Sequence, residues 1–134
     1  MPPTLRQLIA LMLIALAPAL VSAAVQLQWR ANPPLEPGEV RPATARLWAA
    51  RVLWVDARPG KRARRIEDAV SLNTKEWESR LPAFFAAWSA EKTVVVYDQN
   101  QESGDAANVA ARLRDELKID PVYVLKGGYE AWRR

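Results

Sequence analysis

Three short apolar runs mark the second half of the chain. Val52-Leu53-Trp54-Val55 ends at Asp56, Thr93-Val94-Val95-Val96-Tyr97 ends at Asp98, and Val122-Tyr123-Val124-Leu125 follows Pro121 and closes at Gly127-Gly128. Brief continuous apolar runs bounded by polar or turn residues read as strands buried on both faces. Between them the spacing changes to a helical period. Trp77, Leu81, Phe84, Phe85 and Trp88 predict a helix within 73–89, with Asn73 and Glu76 resembling a capping box. Val109, Leu113 and Leu117 form an apolar stripe after Asp105, a residue suited to cap a helix, with Ala106 and Ala110 as good helix formers. Buried strands alternating with helices predict a parallel α/β sheet. Asp56 and Asp98 then stand at strand C-termini, the sheet edge where open α/β folds bind ligands.

The first part of the chain follows another pattern. Leu8 to Val25 carries no charge, Arg6 precedes it, and its densest apolar stretch stops at Pro18 before Ser22, Ala23 and Ala24. A basic start, a short apolar stretch, a helix breaker and small residues form a signal-peptide pattern, with cleavage after Ala23 or Ala24. The segment is also near the lower length limit for a membrane-spanning helix, so an uncleaved anchor is the competing reading. Either one places the rest of the chain outside the cytoplasm, as a periplasmic or secreted domain or one attached to a membrane through residues 8–25. Pro33, Pro34, Pro37, Gly38 and Pro42 predict an extended tether or a strap over the domain surface. The expected organisation is a signal peptide or anchor at 1–24, a Pro-rich linker at 25–43 and a folded domain at 44–134.

Composition narrows the chemistry. The 134 residues include no cysteine and no histidine. Disulfides, thiolate metal sites, thiol nucleophiles and Ser-His-Asp machinery are therefore excluded. The net charge of +4 is a weak pointer to an anionic partner. Much of the basic excess lies between Arg41 and Arg65, without the interleaved aromatics of a nucleic-acid reader, so no nucleic-acid partner is expected. A solvated basic stretch is the plainer reading, and contact with anionic lipid or a polyanion the sharper one.

Four segments together resemble the rhodanese-like family. Val52-Leu53-Trp54-Val55-Asp56-Ala57-Arg58-Pro59 is similar to the family's first core strand and its Asp-x-Arg signature. Ile66 to Asn73 stands where the family has a Gly-His-Ile-Pro-Gly-Ala motif and a short strand. Val94-Val95-Val96-Tyr97 is similar to the strand that delivers the active-site loop. Val122 to Trp132 resembles the closing motif almost residue for residue. The resemblance covers about residues 44–134. It implies an α/β fold with a rhodanese-like central parallel sheet flanked by helices, here preceded by a hydrophobic N-terminal segment.

The departures from the family's pattern carry the functional expectations. Active members place a persulfide-bearing cysteine directly after the Val-Val-Val-Tyr strand, and here that residue is Asp98. The loop that follows is Gln99, Asn100, Gln101, Glu102, Ser103 and Gly104, without the cation that active loops carry near Ser103. The Gly-His-Ile-Pro-Gly motif is replaced by Arg64-Arg65-Ile66-Glu67-Asp68, and the segment from Pro59 to Ile66 is short by about two residues relative to the family. A loop of N–H groups at a helix N-terminus favours a fixed anion, so Asp98 is expected to occupy the place of the persulfide. Asp56 and Arg58 are expected to support the loop, with Arg65 as a further source of charge. Two sharper alternatives remain open: Asp98 as a nucleophile toward phosphate esters or another anionic substrate, and a divalent cation held by Asp98, Glu102 and Asp105.

The tryptophans at 54, 77, 88 and 132 are expected in the core, while Trp29 and Trp48 have no assigned place, Trp29 suiting a membrane interface if the leader stays uncleaved. Lys126-Gly127-Gly128 reads as a turn after the last strand, not a P-loop. The resulting expectation is an exported rhodanese-like domain, catalytically inactive as a sulfurtransferase, that binds a protein or a small anion and needs no cofactor.

Overall fold

The computed structural model describes residues 4–9, 21–27, 33–62 and 64–134. They divide into two compact units, Met1–Pro34 and Leu35–Arg134. In the first, residues 5–9 and 21–27 are helical, and the apolar side chains of Leu5, Leu8, Ile9, Val21, Val25 and Leu27 are exposed. No helix among the described residues is long and apolar enough to cross a membrane. Trp29 and most of the expected leader, including its densest apolar stretch, lie outside the described residues.

The second unit is built on five parallel strands: β1 (Glu39–Val40), β2 (Val52–Asp56), β3 (Val70–Ser71), β4 (Thr93–Tyr97) and β5 (Val122–Leu125), in the spatial order β1-β5-β4-β2-β3. Among the described residues four α-helices accompany them: α1 (Pro42–Trp48), α2 (Trp77–Ala87), α3 (Asp105–Asp115) and α4 (Gly128–Trp132). The continuous apolar runs are explained by cover on both faces. Leu53, Val55, Val94, Val96, Val122 and Val124 point to one core, shared with Trp77 and Phe84 of α2 and Val109, Ala110 and Leu113 of α3. Val52, Trp54, Val95, Tyr97 and Leu125 point to the other, closed by Val40, Ala45, Ile66 and Ala69, with Tyr129 and Trp132 of α4 packed against it. The strand alternation thus feeds two apolar layers, leaving no polar face.

Several local expectations are corrected. The first long helix begins at Trp77 and ends at Ala87, inside the expected 73–89. Asn73 Oδ1 accepts the Glu76 N–H at 2.9 Å, which forms a turn before the helix. The Glu76 carboxylate reaches forward to Arg80 at 3.1 Å instead of back, so no capping box forms. Phe85 is 45% exposed and leaves the apolar stripe to Trp77, Leu81 and Phe84. Asp105 does not cap α3; Gly104 stands at the N-cap in the left-handed conformation. Leu117 lies beyond the end of α3 but still packs on the core. Trp48, unplaced from sequence, tilts against Tyr123 of β5 at 5.3 Å. Residues 39–43, within the expected linker, carry the edge strand β1 and the start of α1. Pro42 suits the first helical turn, where its missing N–H costs nothing.

The two aspartates mark one edge. Asp56 closes β2 in register with Tyr97, and Asp98 follows Tyr97 directly. Tyr97 is fully buried, and its hydroxyl accepts the Ile66 N–H at 3.1 Å. Burial, and then the charge of Asp56, raise its phenol well above the ordinary tyrosine range, so it stays neutral. Tyr97→Phe leaves the buried Ile66 N–H without this partner. An unfolding free energy lower by about 1–3 kcal/mol is expected, read by urea denaturation, and unchanged stability would show that water replaces the hydroxyl.

Candidate anion cradle at the sheet edge

Each part of the site follows from where the strands end. The 98–104 loop leaves β4 and enters α3, so the Gln101 N–H of the loop and the Ala106 N–H of the first helical turn both meet the Asp98 side chain. Asp98 Oδ1 accepts the Gln101 N–H at 2.7 Å. Oδ2 accepts the Ala106 N–H at 3.1 Å and the Ser103 hydroxyl at 3.4 Å. The residue is 1% exposed. A carboxylate among donors at the positive end of a helix is favourably placed. It performs the capping that Asp105 was expected to perform; the Asp105 N–H goes instead to Ser103 Oγ at 3.3 Å.

The loop is clamped from the opposite side by α4. The Asp98 carbonyl accepts the Tyr129 N–H at 2.8 Å, and the Gln99 carbonyl accepts the Glu130 N–H at 3.0 Å. This approach explains Gly128, whose φ is +64°. A Cβ there would stand 2.6 Å from the Asp98 carbonyl oxygen and 2.8 Å from the Asn100 nitrogen. Backbone on backbone leaves no side chain to move aside, so the position requires glycine.

Asp56 and Arg58 form a second, separate arrangement. Asp56 Oδ1 accepts from the Arg58 N–H and Nε, each at 3.0 Å, and Oδ2 from Nη2 at 2.9 Å. The same guanidinium donates to Gln99 Oε1 at 3.0 Å and to the Arg64 carbonyl at 2.7 Å. It lies over the rings of Tyr129 and Tyr97, at 4.6 Å and 5.5 Å from their centroids. Burial works against its charge. The hydrogen bonds and charge of Asp56, with the two tyrosines, outweigh burial and hold the guanidinium pKa above its ordinary value. Arg58 is therefore fully engaged, reaching the loop only through Gln99.

The other expected residues divide. Asn100 Oδ1 accepts the Glu102 N–H at 3.0 Å, while the Glu102 side chain is exposed. Arg65 is exposed; in its place the neighbouring Arg64 contributes a backbone carbonyl. Asp98, Glu102 and Asp105 do not converge, because the Asp98 oxygens turn inward. Among the described residues no group of three or more acidic side chains could hold a metal ion.

One participant escaped the sequence reading. Glu39, in the Pro-rich strap, is nearly buried. Its Oε2 accepts from Gln101 Nε2 at 2.6 Å, and its Oε1 from the Glu36 N–H at 2.6 Å and Lys126 Nζ at 3.4 Å. Gln101, at φ +71°, in turn accepts the Gly127 N–H at 2.6 Å. The strap thereby latches the loop to the turn after β5. Burial raises the Glu39 pKa, but its bonds to Gln101 and Glu36 and the charge of Lys126 bring it below the ordinary 4.5.

Comparison with known proteins places this geometry in a family. Residues 40–134 match the rhodanese-like domain, so the chain belongs to the rhodanese-like family. No curated protein is similar enough to count as a match. Solved structures that share the fold include three from bacteria. A Bacillus halodurans protein is 22% identical with a TM-score of 0.55, over 71% of this chain and 70% of its own. A Rhodopseudomonas palustris protein of unknown function, described as a possible tyrosine phosphatase, is 23% identical with a TM-score of 0.52, over 71% of this chain and 78% of its own. A Lactobacillus plantarum protein is 20% identical with a TM-score of 0.51, over 72% of this chain and 82% of its own.

Two predictions follow from the cradle and its latch. Asp98→Asn turns an amide NH₂ toward an N–H donor that now faces an oxygen, and a loss of about 2 kcal/mol in unfolding free energy is expected. Equal urea midpoints for variant and wild type would refute the cradle. Because the Glu39 pKa is lower folded than unfolded, its contribution is complete above about pH 4.5 and is lost as pH falls through the folded value. Glu39→Gln is expected to flatten the acid limb of the stability–pH curve; an unaltered limb would contradict the latch.

Proposed function

We propose that this protein is a non-catalytic rhodanese-like module that works outside the cytoplasm in binding or regulation. The observation that carries the reading is the position of the Asp98 carboxylate. The place where a sulfurtransferase of this family forms its persulfide holds an internal anion, buried and bonded to Gln101, Ser103 and Ala106. Sulfur transfer needs a soft nucleophile able to form and break an S–S bond, and the sequence has no cysteine to provide one. Export is supported by the uncharged stretch Leu8 to Val25 after Arg6 and the small residues at its end. The chemistry open to the domain is then recognition by its surface, with the 98–104 loop held in shape by Asp98 without a substrate.

A second reading makes Asp98 a nucleophile toward phosphate esters, and the description of the Rhodopseudomonas palustris structure motivates it. Two features weigh against it. Both Asp98 oxygens already accept hydrogen bonds inside the loop, and the nearby Arg58 guanidinium is committed to Asp56, Gln99 and Arg64. A nucleophile must reach its substrate, and Asp98 is buried; the N–H donors that could hold a phosphate are already taken by its own carboxylate.

The purified protein, incubated with thiosulfate and cyanide, is expected to form no thiocyanate above a heat-denatured control. Thiocyanate above that control would overturn the non-catalytic reading. Hydrolysis of p-nitrophenyl phosphate that disappears in a folded Asp98→Asn variant would replace it with the second.

A further inference from the structure

Charge is distributed very unevenly along this chain. Between Arg41 and Arg65 the only acidic residue is Asp56, and Arg58 already neutralises it. Four cations, Lys61, Arg62, Arg64 and Arg65, fall within the connection from β2 to β3, and all four side chains are exposed. None of them forms an ion pair among the described residues. The connection is nevertheless anchored. The Arg64 carbonyl accepts from the buried Arg58 guanidinium at 2.7 Å, and the Ile66 N–H donates to Tyr97 at 3.1 Å. The cations are thus held out from a fixed base at the C-terminal edge of the sheet, and exposed Glu67 and Asp68 bound the cluster on one side.

We propose that Lys61, Arg62, Arg64 and Arg65 form a docking surface for an anionic phospholipid membrane. Two observations favour lipid over nucleic acid. From Ala57 to Ile66 there is no aromatic side chain to stack on a base and no amide or hydroxyl side chain to read one. What remains is diffuse positive charge, which matches a sheet of headgroup phosphates. The same chain also carries the uncharged stretch Leu8 to Val25, which as an uncleaved anchor would keep the domain at a membrane surface, within reach of its headgroups. The second point rests on the membrane-directed reading of that stretch; the first does not.

The test is flotation of the full chain with vesicles of phosphatidylcholine, and with vesicles in which about a third of the lipid is phosphatidylglycerol. A variant with Lys61, Arg62, Arg64 and Arg65 all changed to Gln is compared with a control changed to Gln at the exposed Lys75, Lys118, Arg133 and Arg134. At physiological salt the loop variant is expected to bind the anionic vesicles at least about tenfold more weakly than wild type, and the control to bind as wild type does. All three bind neutral vesicles alike. A loop variant equal to wild type on anionic vesicles overturns the proposal, and so does a control that loses as much, because net charge alone would then be at work. Displacement of the wild-type chain from vesicles by an oligonucleotide of equal phosphate concentration also overturns it, in favour of nucleic acid. Absence of binding to neutral vesicles, with the anionic difference intact, supports the loop while removing the N-terminal reading.

Discussion

A carboxylate buried among backbone N–H groups organises one edge of this domain's sheet. The turn from β4 into α3 leaves the amides of Gln101 and Ala106 facing inward, away from water. Unsatisfied, each would cost on the order of 1–3 kcal/mol. In a protein that binds an anion there, the ligand meets that need when it arrives. Here Asp98 meets it permanently, and the surrounding structure is arranged on that basis. The Asp98 and Gln99 carbonyls cap α4, Gly128 gives the loop room, and Gln101 accepts a left-handed backbone because Glu39 and Gly127 hold its side chain.

Arg58 is the second fixed point at this edge of the sheet. Its guanidinium joins the end of β2, the 98–104 loop, the Arg64 carbonyl and two aromatic rings. A buried ion pair adds little net stability compared with apolar packing, but removing one partner leaves an uncompensated charge. The pair therefore fixes which loops meet at this edge more than it strengthens the fold. The basic connection of residues 61–65 starts from this same support, so the closed loop and the cationic surface share one base.

The fold was legible because its signals are local and strong. Three continuous apolar runs ending at Asp56, at Asp98 and before Gly127-Gly128 can satisfy water exclusion only between two helical layers, and the two cores use alternate residues of each run. The position of Asp98 was legible for the same reason, since a strand end fixes where the next side chain stands. Helix ends were harder to read. Asn73 and Asp105 both have cap chemistry, yet Asn73 forms a separate turn and Asp105 yields to a carboxylate seven positions earlier in the chain. Glu39 was out of reach: a lone acid in a Pro-rich strap gives no sign that β1 will pair with β5 and bring it to Gln101. Arg65 fails for a related reason, because the shortened connection turns a backbone carbonyl toward the site and the side chain outward.

Whether Asp98 fills the cradle in place of an outside anion is read directly by amide NMR. Thiosulfate is titrated into the wild-type protein and into Asp98→Gly, and the Gln101 and Ala106 amide resonances are followed. Neither amide is expected to move in the wild type, and both are expected to move saturably in Asp98→Gly, where the donors are freed. Saturable movement of both amides in the wild type would contradict a filled cradle, which would then be open to an external ligand with Asp98 in place.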